Sequence, residues 1–355
     1  MDQLRRRAFL AGSAAVAVSA MSSAATIRRP KVMLVNDEAP YDSTTFTSPW
    51  PPNGYANAIE CELVPGIILK GANIAPKPGQ SFQELFKEWD WKGWVKPQVD
   101  AIASVGGNTV RLIGDIAGVN NKAFTQSFYD DKWSQLIDYA GTLGMYAYPA
   151  GGGVSQIGSL PVSQVADTIA AAAANWNRYD NVVGIDVLQE SVRVGQAGSY
   201  PMSYPTEMTK PIRSVTDKPI TFSNSAPHPF GPYRFIFPLW RDALREFVDF
   251  WDIHIYTECP SSLVHAAFWQ QGETKPVIIG EFGAHQGLPK NQQTQRYKNA
   301  LNIVNDRSYG LHVAGALQWA VYPQSGITSD DWGMFDDRGA PRSHLVELFE
   351  QLPTA

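Results

Sequence analysis

Two glutamates stand at the ends of strongly apolar segments of this sequence. In "NVVGIDVLQESVR", Glu190 follows a run of Val, Ile and Leu residues, and in "KPVIIGEFG", Glu281 ends a similar run. Runs of this kind are typical of parallel strands that are covered on both faces. If both strands belong to one barrel, their carboxyl ends meet at the same rim. Two carboxylates flanking one pocket can carry out glycoside hydrolysis, one as the acid and the other as nucleophile or base.

Strand-like and helix-like segments alternate from about residue 66 to the C-terminus. Eight short runs rich in β-branched or aromatic residues predict strands at 66–74, 109–113, 145–149, 182–188, 219–223, 252–256, 276–281 and 315–320. Eight strands, each followed by a crossover, imply an α/β fold with a single (β/α)8 TIM barrel. A doubly wound open sheet is the alternative, but no Gly-rich phosphate loop follows any of these strands.

The N-terminal residues have the composition of an export signal. Arg5, Arg6 and Arg7 precede Phe9 and Leu10, and a short alanine-rich stretch follows. This order resembles the twin-arginine signal of bacteria, and the apolar stretch is too short for a stable membrane anchor. We therefore expect residues 1–26 to be removed and the protein to be periplasmic or extracellular. Residues 27–355 would form one barrel domain, with a segment at 32–62 wrapping the bottom of the barrel.

Composition argues against several classes of partner. The 355 residues carry 29 Lys and Arg against 34 Asp and Glu, without long runs of either sign. A mildly acidic chain without a basic stripe is a poor candidate for binding nucleic acid. The histidines show no metal-ligand spacing and no serine lies in a nucleophile elbow, so we expect neither a metal nor another cofactor. The expected partner is an oligo- or polysaccharide substrate.

Six motifs, in order along the chain, carry a family resemblance. They are "GIILKGANI", "GNTVRL", "LQES", "DIHIY", "VIIGEFG" and "ALQWAVYP". Together they resemble the clan A glycoside hydrolases, most of all family 5, the cellulase family. The resemblance covers nearly the whole chain after the signal. It implies a retaining β-glycoside hydrolase that acts on a β-linked glucan, mannan or related oligosaccharide.

The same resemblance assigns roles to charged residues. It makes Glu190 the acid/base and Glu281 the nucleophile. Arg111, at the end of the second predicted strand, would keep Glu281 ionised through charge-assisted hydrogen bonds.

Further side chains are expected to line the substrate pocket. His254 and Tyr256 are two residues apart and so point to one side of strand six. The resemblance implies that they border the catalytic carboxylates and that Trp319, after strand eight, forms the floor under the sugar. Asn224 follows strand five, and Trp332 lies in the loop after strand eight. Both are expected to reach substrate from the rim.

Two positions depart from the family pattern. Gln189 stands where the family has an Asn that binds the sugar 2-hydroxyl. Glutamine keeps the amide but adds a methylene, so we expect the contact to be displaced. Strand three, which usually ends with a His, ends here with Tyr148 and glycines. Two alternatives therefore stay open: a transglycosylase that uses the same covalent intermediate, and a glycan-binding protein that has lost catalysis.

Overall fold

The computed structural model describes residues 63–153, 160–191, 204–224, 244–256, 264, 275–306, 313–326 and 330–355. The predicted export signal and the segment predicted to wrap the barrel bottom lie outside these residues. Among the described helices, none has both the length and the apolar composition that crossing a membrane requires.

Eight parallel strands form the centre of the molecule. They are β1 (Leu69–Ile74), β2 (Thr109–Ile113), β3 (Tyr146–Ala150), β4 (Ile185–Asp186), β5 (Ile220–Thr221), β6 (Trp251–Ile255), β7 (Val277–Phe282) and β8 (Val313–Gln318). The strand order is β5-β4-β3-β2-β1-β8-β7-β6. A single parallel bridge between Asn224 and Ile253 joins the two outer strands of that order. The predicted (β/α)8 barrel is therefore confirmed.

The fourth strand is shorter than its apolar run predicts. Only Ile185–Asp186 is regular strand, although the run extends from residue 182 to residue 188. The rest of the run still bonds to its neighbours, since the Val183 N–H donates to the Ala147 carbonyl and the Val187 N–H donates to the Thr221 carbonyl. Burial on both faces makes the whole run apolar, so the sequence could not show where regular pairing stops.

Helices pack around this barrel. Those described are α1 (Phe82–Glu88), α2 (Lys96–Ser104), α3 (Ile116–Asn120), α4 (Gln126–Thr142), α5 (Val162–Trp176), α6 (Tyr204–Arg213), α7 (Lys290–Asn305) and α8 (Ser343–Glu350). Helix α1 begins at a capping box in which Ser81 and Glu84 satisfy each other's backbone N–H groups. A π-helical turn, Trp91–Val95, leads directly into α2. Helix α4 buries Trp133, Leu136, Ile137 and Ala140 on one face, as amphipathic helical spacing requires.

An apolar cluster fills the N-terminal end of the barrel. Its buried members are Leu69, Tyr148, Val183, Phe250, Ile278 and Leu317, and Leu63, Val64 and Ile67 pack against it. Several of these residues come at or before the starts of their strands. This apolar cluster occupies the N-terminal end of the barrel. The polar side chains that follow on the same strands therefore lie toward the opposite, C-terminal rim.

Candidate active site

Glu281 lies at the centre of the C-terminal rim. It sits near the end of β7, beside a register shift in the pairing with β8, and only 2% of its surface is exposed. The Arg111 Nη1 donates to Glu281 Oε1 at 2.7 Å, and the Tyr256 hydroxyl donates to Oε2 at 2.5 Å. Each carboxylate oxygen thus receives one strong hydrogen bond, which stabilises the negative charge and fixes the carboxylate plane.

Arg111 projects from β2 into the barrel and is completely buried. Besides Glu281, its guanidinium donates to Asn73 Oδ1 at 2.7 Å and to Asp186 Oδ2 at 2.8 Å. Burial by itself would lower the pKa of Arg111, but the surrounding carboxylates, Glu281 first among them, raise it overall. The role expected of Arg111, to keep Glu281 ionised, stays a prediction. The structure places its guanidinium against Glu281, with no exposed surface.

Glu190 follows β4 in an unusual backbone conformation. Its φ angle is +51°, in the left-handed region, which costs a non-glycine residue about 1–2 kcal/mol. Its N–H donates to the Ser223 hydroxyl at 2.8 Å, and its side chain keeps 12% of its surface exposed. The sharp turn at the strand end directs the carboxyl group toward His254, whose Nδ1 lies 3.2 Å from Glu190 Oε1.

The two glutamates approach each other closely. One carboxylate oxygen from Glu190, one from Glu281 and a ring nitrogen of His254 all lie within 4.8 Å of one another. Retaining glycosidases place their carboxyl groups about 5–5.5 Å apart, whereas inverting enzymes need about 6.5–9.5 Å. An approach of single oxygens to within 4.8 Å is compatible with the shorter of these two separations. The three groups could also ligate a cation, but Arg111 and Tyr256 already donate to both oxygens of Glu281.

His254 lies between three carboxylates. Its Nδ1 is 3.2 Å from Glu190 and 3.3 Å from Glu281, and its Nε2 is 3.7 Å from Asp252 Oδ1. Burial would lower the pKa of His254, but the carboxylates of Glu281, Glu190 and Asp252 together raise it above its ordinary value. The neighbouring carboxylates therefore favour the protonated, imidazolium form of the ring.

Asp252 and Tyr148 form a buried polar pair beneath His254 that the sequence-based analysis did not include in the site. The Tyr148 hydroxyl donates to Asp252 Oδ2 at 2.6 Å, and the Gly280 N–H donates to Oδ1 at 2.9 Å. Burial raises the pKa of Asp252 to about 6, even though His254 and Arg111 lower it. The signal that could have revealed this pair is an acidic residue two positions before His254, inside the mainly apolar stretch "FWDIHIY".

Aromatic side chains surround the carboxylates at the rim. Trp319 directly follows β8, is partly exposed, and its ring lies 6.3 Å from that of Phe82; the Trp319–Ala320 peptide bond is cis. Trp332 packs edge-on against Tyr256 at 4.9 Å and against His285 at 5.2 Å. The structure therefore brings both predicted tryptophans to the rim, and it places Trp332 in contact with the tyrosine that binds Glu281.

The two predicted amide residues occupy different depths. Gln189 is buried and points its Nε2 toward Glu281 Oε1 at 3.5 Å, which is long for a hydrogen bond. Asn224 is almost fully buried where β5 meets β6, and its carbonyl accepts from the His254 N–H at 2.9 Å. Asn224 thus helps to hold His254 in place.

No protein-family model matches the sequence, and no curated protein is similar enough in sequence to match it. Solved structures do share its fold. The exo-beta-1,4-mannosidase Op5Man5 from Opitutaceae bacterium strain TAV5 has a TM-score of 0.66 at 15% identity, and the match covers 83% of this chain but 61% of the mannosidase. This chain therefore matches less than two thirds of that enzyme's length.

Two further structures are similar over most of their own lengths. A GH5-4 broad specificity endoglucanase from Clostridium acetobutylicum has a TM-score of 0.59 at 17% identity, covering 80% of this chain and 97% of the endoglucanase. GH5_18 from Streptomyces cattleya, solved in complex with GlcNAc, has a TM-score of 0.59 at 15% identity and covers 80% of each chain. At these identities the likeness shows a shared (β/α)8 fold, and that fold agrees with the family 5 resemblance of the motifs.

The charge on His254 makes stability depend on pH. Because its pKa is raised in the folded state, its contribution is fully present below the pKa of an unfolded histidine, about 6.5, and is lost as pH rises through the folded pKa. We expect the free energy of unfolding of the wild type to exceed that of His254→Asn by more at pH 6 than at pH 9, measured by urea unfolding. His344, whose pKa burial lowers, is the control: for His344→Asn the difference should not grow toward low pH. A pH-independent difference for His254→Asn would contradict the charged imidazole.

Proposed function

We propose that this protein is a retaining β-glycoside hydrolase in which Glu281 is the nucleophile and Glu190 the acid/base. The observation that carries the proposal is the short distance between these two carboxylates, on a barrel rim lined by tryptophans. Their environments differ in the way the two roles require. Arg111 and Tyr256 donate to both oxygens of Glu281, which suits a group that attacks as an anion. Glu190 is the more exposed of the two and lies against an ionisable histidine.

The reaction would proceed in two displacements. In the first, Glu281 attacks the anomeric carbon while Glu190 gives its proton to the leaving glycosidic oxygen, and a covalent glycosyl-enzyme forms. In the second, Glu190 removes a proton from water, which attacks the same carbon and releases Glu281. Each displacement inverts the configuration, so the product retains it.

The buried donors would act throughout this cycle. Arg111 remains paired with Asp186 when Glu281 loses its charge to the sugar, so the guanidinium never becomes an isolated buried cation. The Tyr256 hydroxyl, which donates to Glu281 in the free enzyme, would be released toward the substrate in the intermediate. His254 would stabilise Glu190 whenever Glu190 becomes a carboxylate.

The substrate class follows from the rim and from the structural neighbours. Partly exposed indole faces at Trp319 and Trp332 suit the C–H faces of sugar rings. The similar structures are described as an exo-β-1,4-mannosidase and a broad specificity endoglucanase. A β-linked glucan, mannan or related oligosaccharide is therefore the proposed substrate.

Export to the periplasm or the medium is proposed from the arginine-rich N-terminus alone, and fractionation of cells producing the full chain tests it.

The transglycosylase alternative uses the same covalent intermediate and differs only in whether water or a sugar accepts the glycosyl group. The close approach of two oriented carboxylates favours either enzyme over a glycan-binding protein without catalysis. Product analysis at rising acceptor-sugar concentration separates hydrolysis from transfer.

Stereochemistry of the product tests the proposed function directly. We expect ¹H NMR of the early reaction on a β-glycoside to show the β-anomer first, with the α-anomer appearing only by mutarotation. Glu281→Gln should lose nearly all turnover, and Glu190→Gln should lose about 10²–10⁴-fold on an unactivated substrate. Glu347→Gln, a change at an exposed position of α8, is the matched control and should keep full activity. An α-anomer as the first product would overturn the double displacement.

Gln189 should act mainly in the transition state. If its amide binds the hydroxyl next to the reacting carbon, the bond strengthens as charge develops, so Gln189→Ala should lower kcat more than it raises KM. The exposed Gln295 of α7 supplies the control, because Gln295→Ala should change neither constant. Unchanged kcat in Gln189→Ala would mean that the amide only fills space beside Glu281.

A further inference from the structure

Ser223 is a fully buried residue just beyond β5 that touches the backbone of the acid/base rather than its carboxyl group. The geometry points to Ser223 as a positioning residue, whose hydroxyl holds Glu190 in its left-handed turn and so aims the carboxyl group at the leaving oxygen. This inference rests on the proposed function, since it concerns how that function's acid/base is held.

Ser223 binds two successive N–H groups at the end of the fourth strand. The Glu190 N–H donates to Ser223 Oγ at 2.8 Å, and the Ser191 N–H donates to the Ser223 carbonyl at 2.8 Å. The first bond involves the residue with the unfavourable φ angle of +51°. A conformation of this kind persists only where the surroundings enforce it. Ser223 Oγ is a side-chain contact that enforces it.

Asp186 connects this serine to the ion pair under the nucleophile. The Ser223 N–H donates to Asp186 Oδ1 at 3.0 Å, while Arg111 Nη2 donates to Asp186 Oδ2 at 2.8 Å. Arg111 Nη1 in turn donates to Glu281. Every link from Ser223 to Glu281 is a buried hydrogen bond, so one network fixes Glu281 through its carboxylate and Glu190 through its backbone. The distance between the two carboxyl groups is then set by this network and not by two independent loops.

The neighbouring serine provides a matched control. Ser191 is as deeply buried as Ser223, and its hydroxyl donates to the Ser223 carbonyl at 3.2 Å. Ser191→Ala removes a buried hydroxyl from the same turn but leaves the bond from the Glu190 N–H to Ser223 Oγ intact. Ser223→Ala removes that bond with the same loss of one oxygen atom. A difference in activity between the two variants therefore measures the effect of the bond to Glu190, because both variants lose one buried hydroxyl near the turn.

Aryl β-glycosides with different leaving groups give the required readout. A poor leaving group such as phenol depends on protonation by Glu190, whereas 2,4-dinitrophenolate leaves without it. We expect Ser223→Ala to lower kcat/KM for the phenyl glycoside by roughly 10–100-fold, as a misplaced catalytic group does, and to change the dinitrophenyl value by less than about threefold. Ser223→Thr, which keeps the hydroxyl, should recover most of the loss, and Ser191→Ala should show no leaving-group dependence. Thermal unfolding checks that each variant is folded.

Glu190→Gln measured on the same substrates separates failure of this inference from failure of the proposed function. If Glu190→Gln loses activity selectively on the phenyl glycoside and Ser223→Ala does not, the positioning role is overturned and the acid/base assignment stands. Equal losses on both substrates in Ser223→Ala, or the same selective loss in Ser191→Ala, would also overturn it. If Glu190→Gln itself shows no selectivity, the acid/base assignment and the positioning role fall together.

Discussion

The buried guanidinium of Arg111 is the constraint around which the rest of the site is arranged. A cation removed from water is tolerated only when anions and hydrogen-bond acceptors surround it. Here Asn73, Asp186 and Glu281 accept from its two terminal nitrogens. Removing one partner of such a buried pair typically costs about 3–5 kcal/mol, because the other charge is left uncompensated. Asp186 in β4 and Glu281 in β7 are therefore bound to β2 by charge, although neither strand pairs with β2 in the sheet.

Charge balance around Arg111 explains why this rim can handle protons. Four carboxyl groups, those of Glu190, Glu281, Asp186 and Asp252, face two basic groups, Arg111 and His254, so acidic groups outnumber basic ones and the binding of protons to the cluster is favoured. Burial raises the pKa of Asp252 to about 6 and the carboxylates raise that of His254. Both shifts favour a proton that stays within this cluster, and a general acid beside the reacting bond requires such a proton.

The sequence predicted the rim of the barrel better than its interior. Glu190 and Glu281 could be recognised because each ends an apolar run, and parallel strands bring such ends together. The polar residues inside the barrel could not be recognised in this way. They lie within or close to apolar runs, and their roles depend on which strands lie opposite one another across the closed barrel; they are Asp186, Asp252 and Ser223. The eight apolar runs also predicted the number of strands correctly, but they could not show where the regular hydrogen bonding between neighbouring strands ends. A run that is buried on both faces remains apolar whether or not its ladder is regular.

The same strands supply the apolar cluster at the N-terminal end of the barrel and the charged groups at its C-terminal rim. Tyr148 illustrates this division, since its ring packs in the apolar cluster and stacks under Arg111 at 5.5 Å, while its hydroxyl binds Asp252. An aromatic side chain with one polar tip joins the dry end of the barrel to the charged end without leaving a buried polar atom unsatisfied.

Trapping of the covalent intermediate tests the central claim most directly. A 2-deoxy-2-fluoro β-glycoside with a dinitrophenyl leaving group slows both displacements, but its activated leaving group still permits the first, so the glycosyl-enzyme accumulates. Gluco and manno reagents would be used, and the intact protein and its peptides measured by mass spectrometry. We expect the addition of one fluorosugar per chain, located on Glu281 and absent from Glu281→Ala. A label on any other residue, or a labelled Glu281→Ala variant, would contradict it.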